Sequence, residues 1–119
     1  MISENILKIA AKKLDEKKAV DIKAIRVEEL TALTEYFLLA TATSSTHVKS
    51  LCSEVEEILT ENGVEPHHIE GKSTGWIVLD YGGVIIHIFT PKEREFYDLD
   101  RMWSDATVLT DKELNINEE

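Results

Sequence analysis

A nearly uninterrupted apolar run in the middle of the chain constrains the fold most. Residues 36–42 read Tyr-Phe-Leu-Leu-Ala-Thr-Ala, and a run without alternation is typical of a central strand covered on both faces. Ser44 and Ser45 then offer caps for a helix that stops at Asn62-Gly63. The apolar stripe of this helix consists of Val48, Leu51, Cys52, Val55, Ile58 and Leu59. Strand, polar turn and amphipathic helix in this order indicate an α/β fold.

In the flanking segments, the spacing of apolar residues and the positions of turn residues predict the remaining helices and strands. They predict a helix over residues 3–18 capped by Ser3, strands over 20–26, 65–70, 76–81 and 84–89, and a short helix over 98–105 capped by Asp98. Gly82-Gly83 predicts a tight hairpin turn in which both positions need positive φ. We expect one α/β domain over residues 1–109, with a mixed five-stranded sheet covered by helices on both faces. Residues 110–119 show no cap or packing stripe and are expected to form a flexible acidic tail.

Composition limits the partners and the cellular setting. The net charge is -10, although residues 1–26 carry seven basic and four acidic side chains. An acidic body repels phosphate backbones and suits a basic protein partner, so we expect no sequence-specific nucleic-acid binding. No apolar run reaches the roughly 18 to 20 residues of a membrane span, and the first residues lack a secretory signal. With Cys52 as the only cysteine, a reduced, cytoplasmic setting is expected.

The residue pattern argues against several kinds of chemistry. None of the four histidines, His47, His67, His68 and His87, has the spacing of a zinc site, and we expect no metal or cofactor. The turn at residues 41–45 joins a strand to a helix, which is the topology that holds phosphate. However, the turn has no glycine, and Glu54 and Glu56 diverge by about 200° around a helix. A nucleotide-binding or nucleotidyl-transferring enzyme is therefore the alternative, and a non-catalytic protein is preferred.

Large amphipathic side chains are concentrated in the last third of the chain. Both tryptophans, Trp76 and Trp103, lie there with Tyr81 and Tyr97, interleaved with charged residues. Trp, Tyr and Arg dominate binding hot spots, because they combine large buried area with directional polar groups. Core packing and a protein interface both remain open for this block, with core packing favoured for Phe89 and Met102.

The same residues resemble a known family. The resemblance rests on residues 33–37, 41–45, 70–71, 76–82 and 87–89, and on Arg94-Glu-Phe-Tyr-Asp-Leu-Asp-Arg-Met-Trp103. Together they resemble the ribosomal silencing factor family (RsfS, iojap-like) from about residue 4 to 106. The chain departs from the usual family pattern at Glu35, where aspartate is usual, and at Ala42, where glycine is favoured.

The resemblance implies a nucleotidyltransferase-like fold without transferase activity. It also implies binding to the fourteenth protein of the large ribosomal subunit, at the subunit interface. There the protein would block joining of the small subunit and repress translation when nutrients are short. Homodimers are a further expectation of the same resemblance.

The partner-binding residues are expected at the ends of elements in the last third, where exposed anchors sit on a rigid scaffold. Trp76, Tyr97 and Leu99 are expected to form an apolar centre. The surrounding contacts are expected from Asp80, Arg94 and Asp98, with His87 supporting or joining them. Trp103, one helical turn beyond Leu99, is expected to pack inward.

Overall fold

The computed structural model describes residues 1–71 and 75–116. The fold is built on one mixed β-sheet. In the described part of the chain the helices are α1 (Ser3–Glu16), α2 (Ser45–Glu61), α3 (Pro91–Tyr97), α4 (Leu99–Met102) and α5 (Asp111–Leu114). The strands are β1 (Val20–Arg26), β2 (Tyr36–Thr41), β3 (His68–Glu70), β4 (Trp76–Asp80), β5 (Val84–Phe89) and β6 (Thr107–Val108). The sheet order is β3-β4-β5-β2-β1-β6, with β2 and β5 parallel and the other neighbours antiparallel.

The parallel pair β2 and β5 forms the centre of the sheet. Every residue of β2 is buried, and its register with β5 sets Leu38 opposite Ile86 and Ala40 opposite Ile88. A strand covered on both faces needs apolar side chains pointing to both sides of the sheet. Apolar and polar residues therefore do not alternate along residues 36–41. The prediction of a central strand here is confirmed.

One sheet face, the first face, is covered by the two long helices. Leu7 and Leu14 of α1 and Leu51 of α2 are fully buried against strand residues such as Leu38 and Ile86. The α2 cap is confirmed, since the Ser44 side chain accepts a hydrogen bond from the His47 backbone N–H. Ser3 was expected to cap α1, which is wrong. Ile2 occupies the N-cap position, while Ser3 Oγ donates to Glu35 Oε1 at 2.8 Å.

The opposite face, the second face, is covered by the short helices that follow β5. Its buried side chains are Ile25, Val27, Phe37, Leu39, Phe89 and Leu99, with Trp76, Ile85, Trp103 and Ala106 packed against them. The chain leaves β5, crosses this face through α3 and α4, and pairs β6 with Ile25 and Arg26 of β1. Helices therefore cover both faces as predicted. Within the described residues the sheet has six strands instead of five, because the two residues of β6 are too few to show an alternating pattern in the sequence.

The β4–β5 turn uses its two glycines for different reasons. Tyr81 N–H donates to the Val84 carbonyl at 2.9 Å and closes the turn. Gly82 has φ of +82°, whereas Gly83 is not in the left-handed region. A Cβ on Gly83 would overlap the Ser3 side chain. The expectation of positive φ at both positions is thus wrong at Gly83, where close approach of α1 excludes a side chain.

The expected flexible tail is ordered as far as the structure describes it. Thr110 and Glu113 form a capping box around α5, with the Thr110 hydroxyl accepting from Glu113 N–H and the Glu113 carboxylate from Thr110 N–H. Leu109, Leu114 and Ile116 are buried in the first-face core. The prediction of an uncapped, unpacked segment is therefore wrong for residues 110–116. Residues 117–119 lie outside the described residues.

This packing predicts a stability cost for changes in the C-terminal segment. Leu114 is 1% exposed, so Leu114→Ala should lower the free energy of unfolding by about 2 kcal/mol through lost burial and a residual cavity. Urea unfolding followed by circular dichroism measures it, with Lys112→Ala on the exposed side of the same helix as control. Equal stability of the two variants would show that α5 is dispensable for the core.

No helix within residues 1–71 and 75–116 combines the length and the apolar character needed to cross a membrane.

Candidate functional site

The second face carries an aromatic surface, formed by the half-buried Trp76 and the exposed Phe96 and Tyr97. Trp76 opens β4, and Phe96 and Tyr97 end α3. The Trp76 and Tyr97 ring centroids are 4.4 Å apart, and those of Phe96 and Tyr97 are 5.0 Å apart. Phe96 is 76% exposed and Tyr97 42% exposed. Contiguous aromatic side chains left in solvent on a rigid scaffold are typical of a protein interaction surface.

Trp76 is held in place from below by the sheet. Its ring stacks on Phe89 with centroids 5.1 Å apart, and its Nε1–H donates to His87 Nδ1 at 3.2 Å. Because a neutral imidazole that accepts at Nδ1 carries its proton on Nε2, His87 is fixed as one tautomer. His87 was expected to support the site or to join it. Only 7% of it is exposed, and its place beneath Trp76 is that of a support.

The environment of His87 favours the neutral ring. Burial lowers the pKa of His87 from 6.5 to about 4, since an apolar setting disfavours the charged form. Within the described residues, His87 Nε2 has no hydrogen-bond partner, and Phe37 meets the ring edge-on at 5.1 Å. Protonation at Nδ1 would also remove the acceptor for the Trp76 N–H. The geometry therefore depends on an uncharged His87.

A pH dependence of stability follows. The folded-state pKa of His87 lies below the unfolded value, so its contribution is complete above about pH 6.5 and is lost as pH falls towards about 4. As the pH falls from about 6.5 to about 4, we expect the unfolding free energy of the wild type to decrease relative to that of His87→Gln, which cannot titrate. Urea unfolding at several pH values measures the difference. Parallel pH curves for the two proteins would contradict a buried neutral histidine.

Arg94 was expected to present a polar contact to a partner, and the structure places it in an internal network. Its Nε and Nη2 donate to the two carboxylate oxygens of Asp100, both at 2.9 Å. Its Nη1 donates to the Asp21 carbonyl at 2.9 Å and to Thr41 Oγ1 at 3.0 Å. All three guanidinium nitrogens thus donate within the chain, and Arg94 ties α3 to α4, β1 and β2. Arg94 is thus a positioning residue for the aromatic surface.

The two predicted aspartates shape the backbone around this surface. Asp98 lies between α3 and α4 with φ of +46°, and its Oδ1 accepts from Arg101 N–H at 3.3 Å. The predicted cap of the short helix is therefore confirmed. Asp80 Oδ1 accepts from Gly82 N–H at 2.8 Å and so braces the β4–β5 turn. Both side chains are half-buried.

The faces of α4 differ from expectation. Leu99 was expected as an exposed anchor, but it is 9% exposed and packs with Phe37, Leu39 and Phe89. Met102 was expected in the core and is 68% exposed. In a four-residue helix only one side chain can reach the sheet well, and the Asp98 cap turns Leu99 towards it. Trp103 packs inward as predicted, its ring edge-on to Phe37 at 5.1 Å.

Sequence reasoning missed Phe96 as a surface residue and Asp100 as the partner of Arg94. Helix α3 itself was missed, although Pro91 at its first turn followed by charged helix formers is a readable start signal. Asp100 also binds Lys23, whose Nζ lies 3.4 Å from Oδ1. No local pattern predicts that contact, because Lys23 is on β1.

The turn at residues 41–45 is closed by its own hydrogen bonds. Thr43 N–H donates to His47 Nδ1 at 3.0 Å, and His47 Nε2 lies 2.9 Å from the Lys17 carbonyl, to which it donates in this tautomer. The nearby groove at the carboxyl ends of β2 and β5, of about 630 Å³, is lined by Asp21, Lys23, Arg94, Glu95, Asp98 and Asp100 among others. Acidic side chains outnumber basic ones there, which disfavours a phosphate group.

A cation site is also missing from the described part of the chain. Among residues 1–71 and 75–116, no three His, Cys, Asp or Glu side chains are grouped so that they could hold a metal ion. The aromatic surface and its supports are therefore the arrangement on which a function can be argued.

Comparison with known proteins places this chain in a family. The family model described as "Ribosomal silencing factor during starvation" matches residues 2–119. The ribosomal silencing factor of Bacillus subtilis is 34% identical over 119 residues, covering 99% of this chain and 100% of that protein. Mouse "mitochondrial assembly of ribosomal large subunit protein 1" is 30% identical over 76% of this chain and 42% of its own length.

A solved structure agrees with the sequence comparison. A crystal structure of a Chromobacterium violaceum protein matches with a TM-score of 0.84 and 32% identity, covering 87% of this chain and 88% of that one. The sequence family and the fold thus point the same way, and the chain belongs to the ribosomal silencing factor family.

Proposed function

We propose that this chain is a non-catalytic factor that binds the large ribosomal subunit at the face where the small subunit joins. By occupying that face it blocks joining sterically and represses translation when nutrients are short, in the cytoplasm. The contact is made through a basic ribosomal protein, the fourteenth of the large subunit. The observation that carries the proposal is the aromatic surface of Trp76, Phe96 and Tyr97 in a member of this family.

The aromatic surface has the properties of a binding anchor. Trp76 is fixed by stacking on Phe89 and by its hydrogen bond to His87, so little side-chain entropy is lost when a partner packs against it. Tyr97 lies directly beside it, held at the end of a helix that Arg94 ties to the sheet. Preorganised aromatic side chains are the usual centres of binding energy at interfaces.

The charge of the chain supports a basic protein as the direct contact. At a net charge of -10, contact with ribosomal RNA would be repulsive, whereas a basic ribosomal protein offers complementary charge that steers encounter.

Subunit association tests the proposal directly. Purified small and large subunits are mixed in the presence of the protein, and light scattering with sucrose-gradient profiles reports the joined ribosomes. We expect joining to be inhibited when the protein is added to large subunits first, and the protein to sediment with large subunits alone. Normal joining at saturating protein would overturn the steric mechanism.

The enzymatic alternative is tested separately. Calorimetric titration of nucleotides with Mg²⁺ reports any saturable binding. We expect none, because the turn at residues 41–45 uses Thr43 N–H for His47 and the neighbouring groove is predominantly acidic. Saturable nucleotide binding at the turn at residues 41–45 would support a nucleotide-binding function instead.

A further inference from the structure

A second feature of the second face is a groove between the β3–β4 edge and α3, with a volume of about 360 Å³. Its apolar lining comes from Trp76, Val78 and Tyr97, and its acidic lining from Glu70 and Glu93. We call it the acidic-rimmed groove. It adjoins the aromatic surface, with which it shares Trp76 and Tyr97.

The positions of the two carboxylates follow from the backbone. Glu70 pairs with Val78 across β3 and β4, and paired residues on neighbouring strands point to the same side of a sheet. Glu70 therefore lies on the second face. Glu93 approaches from α3, since a Cβ built on Gly75 would lie 3.0 Å from its Cγ. The glycine leaves room for the Glu93 side chain to lie against the start of β4.

The carboxylates differ in how they are already used. Glu70 Oε1 lies 2.6 Å from His68 Nε2, and both side chains are exposed at the sheet edge. Glu93 forms no ion pair with any of the described residues. Glu93 is half-buried beside the apolar floor of the groove. Among the described residues, the rim of the groove therefore carries a negative charge, that of Glu93, which no ion pair neutralises.

The chemistry of the lining selects the occupant. A phosphate group would be repelled by Glu70 and Glu93, and a purely apolar side chain would leave Glu93 without a cation. An arginine side chain matches both parts, because its aliphatic stem packs on apolar surface while its guanidinium binds carboxylates through a planar fork of donors.

We propose that the acidic-rimmed groove accepts an arginine side chain of the basic protein partner. The stem lies along Trp76, Val78 and Tyr97, and the guanidinium lies between Glu70 and Glu93. This inference rests on the proposed function and names the partner chemistry that the same face recognises. The aromatic surface supplies affinity, and the groove supplies selectivity for a cationic side chain at one position.

The first test uses purified large subunits and two matched double variants. Glu70→Gln with Glu93→Gln removes two charges at the groove. Glu57→Gln with Glu61→Gln removes two charges from exposed positions of α2, on the other side of the sheet. We expect the groove variant to bind about tenfold more weakly, since a charged hydrogen-bonded contact of this kind amounts to about one decade in Kd. The α2 variant should stay within about twofold, as expected of charges remote from the contact. Equal binding of the two variants would overturn the groove proposal while leaving the proposed function intact.

The second test does not depend on the ribosome. A short glycine-flanked arginine peptide and its citrulline counterpart, which has the same shape without the charge, are titrated into the ¹⁵N-labelled protein. We expect the arginine peptide to shift the Trp76 indole N–H and the Gly75 amide signals in the wild type and not in the groove variant, with no shift from citrulline. Equal shifts from both peptides, or none from either, would overturn the proposal. Arginine-specific shifts in a protein that fails to bind large subunits would keep the groove and refute the proposed function.

Discussion

Replacing Leu99 with alanine is expected to lower the free energy of unfolding by about 3 kcal/mol, as truncation of a buried leucine does. Leu99 is the residue of α4 that reaches the second-face core, where it packs with Phe37, Leu39 and Phe89. Its loss removes the contact that fixes α4 on the sheet and leaves a cavity beneath it. Urea unfolding monitored by circular dichroism measures the change.

Met102→Ala is the matched control, because it truncates a large apolar side chain of the same helix. Met102 is 68% exposed, so its replacement should change stability by no more than about 0.5 kcal/mol. Large-subunit binding of Leu99→Ala should be nearly normal in the fraction that stays folded. A stable Leu99→Ala protein with greatly weakened binding would instead return Leu99 to the exposed anchor that the sequence suggested.

The contrast between Leu99 and Met102 shows where sequence reasoning about this fold stops. The central strand at residues 36–41 was predictable because its apolar run is nearly uninterrupted, and the α2 stripe was predictable because it repeats over several helical turns. Helix α4 has four residues, and one turn does not define a face. Its orientation is set by the Asp98 backbone at φ of +46° and by the sheet below. The packing of the C-terminal segment was mispredicted for a similar reason. Leu114 and Ile116 have too few apolar neighbours in sequence to form a recognisable helical stripe.

The candidate site was likewise predictable from the sequence only in part. The concentration of Trp76 and Tyr97 in the last third was visible in the sequence, and the structure brings them into contact. The role of Arg94 was not visible, because two of its three acceptor residues, Asp21 and Thr41, lie 73 and 53 residues away in sequence. Residue type predicts that an arginine will find acceptors, but only the tertiary fold decides whether they belong to the chain itself or to a partner.

Tyr97→Ala is expected to weaken binding to large subunits by about 2 to 3 kcal/mol, roughly 30- to 160-fold in Kd, as for the central residue of an interface. Tyr97 joins the Trp76 and Phe96 rings, and its 42% exposure leaves a large part of its surface available to a partner. Because it is not in the core, its truncation should change the unfolding free energy by much less than Leu99→Ala.

Tyr97→Phe separates the ring from the hydroxyl in the same experiment. Phenylalanine keeps the contacts with Trp76 and Phe96, so its binding should stay within about 1 kcal/mol of the wild type if ring packing dominates. Sedimentation with purified large subunits over a range of protein concentrations gives Kd for all three proteins. Wild-type affinity in a folded Tyr97→Ala protein would place the partner elsewhere on the molecule. A loss as large in Tyr97→Phe as in Tyr97→Ala would show that the hydroxyl makes the decisive contact, since the aromatic ring alone would then contribute nothing measurable.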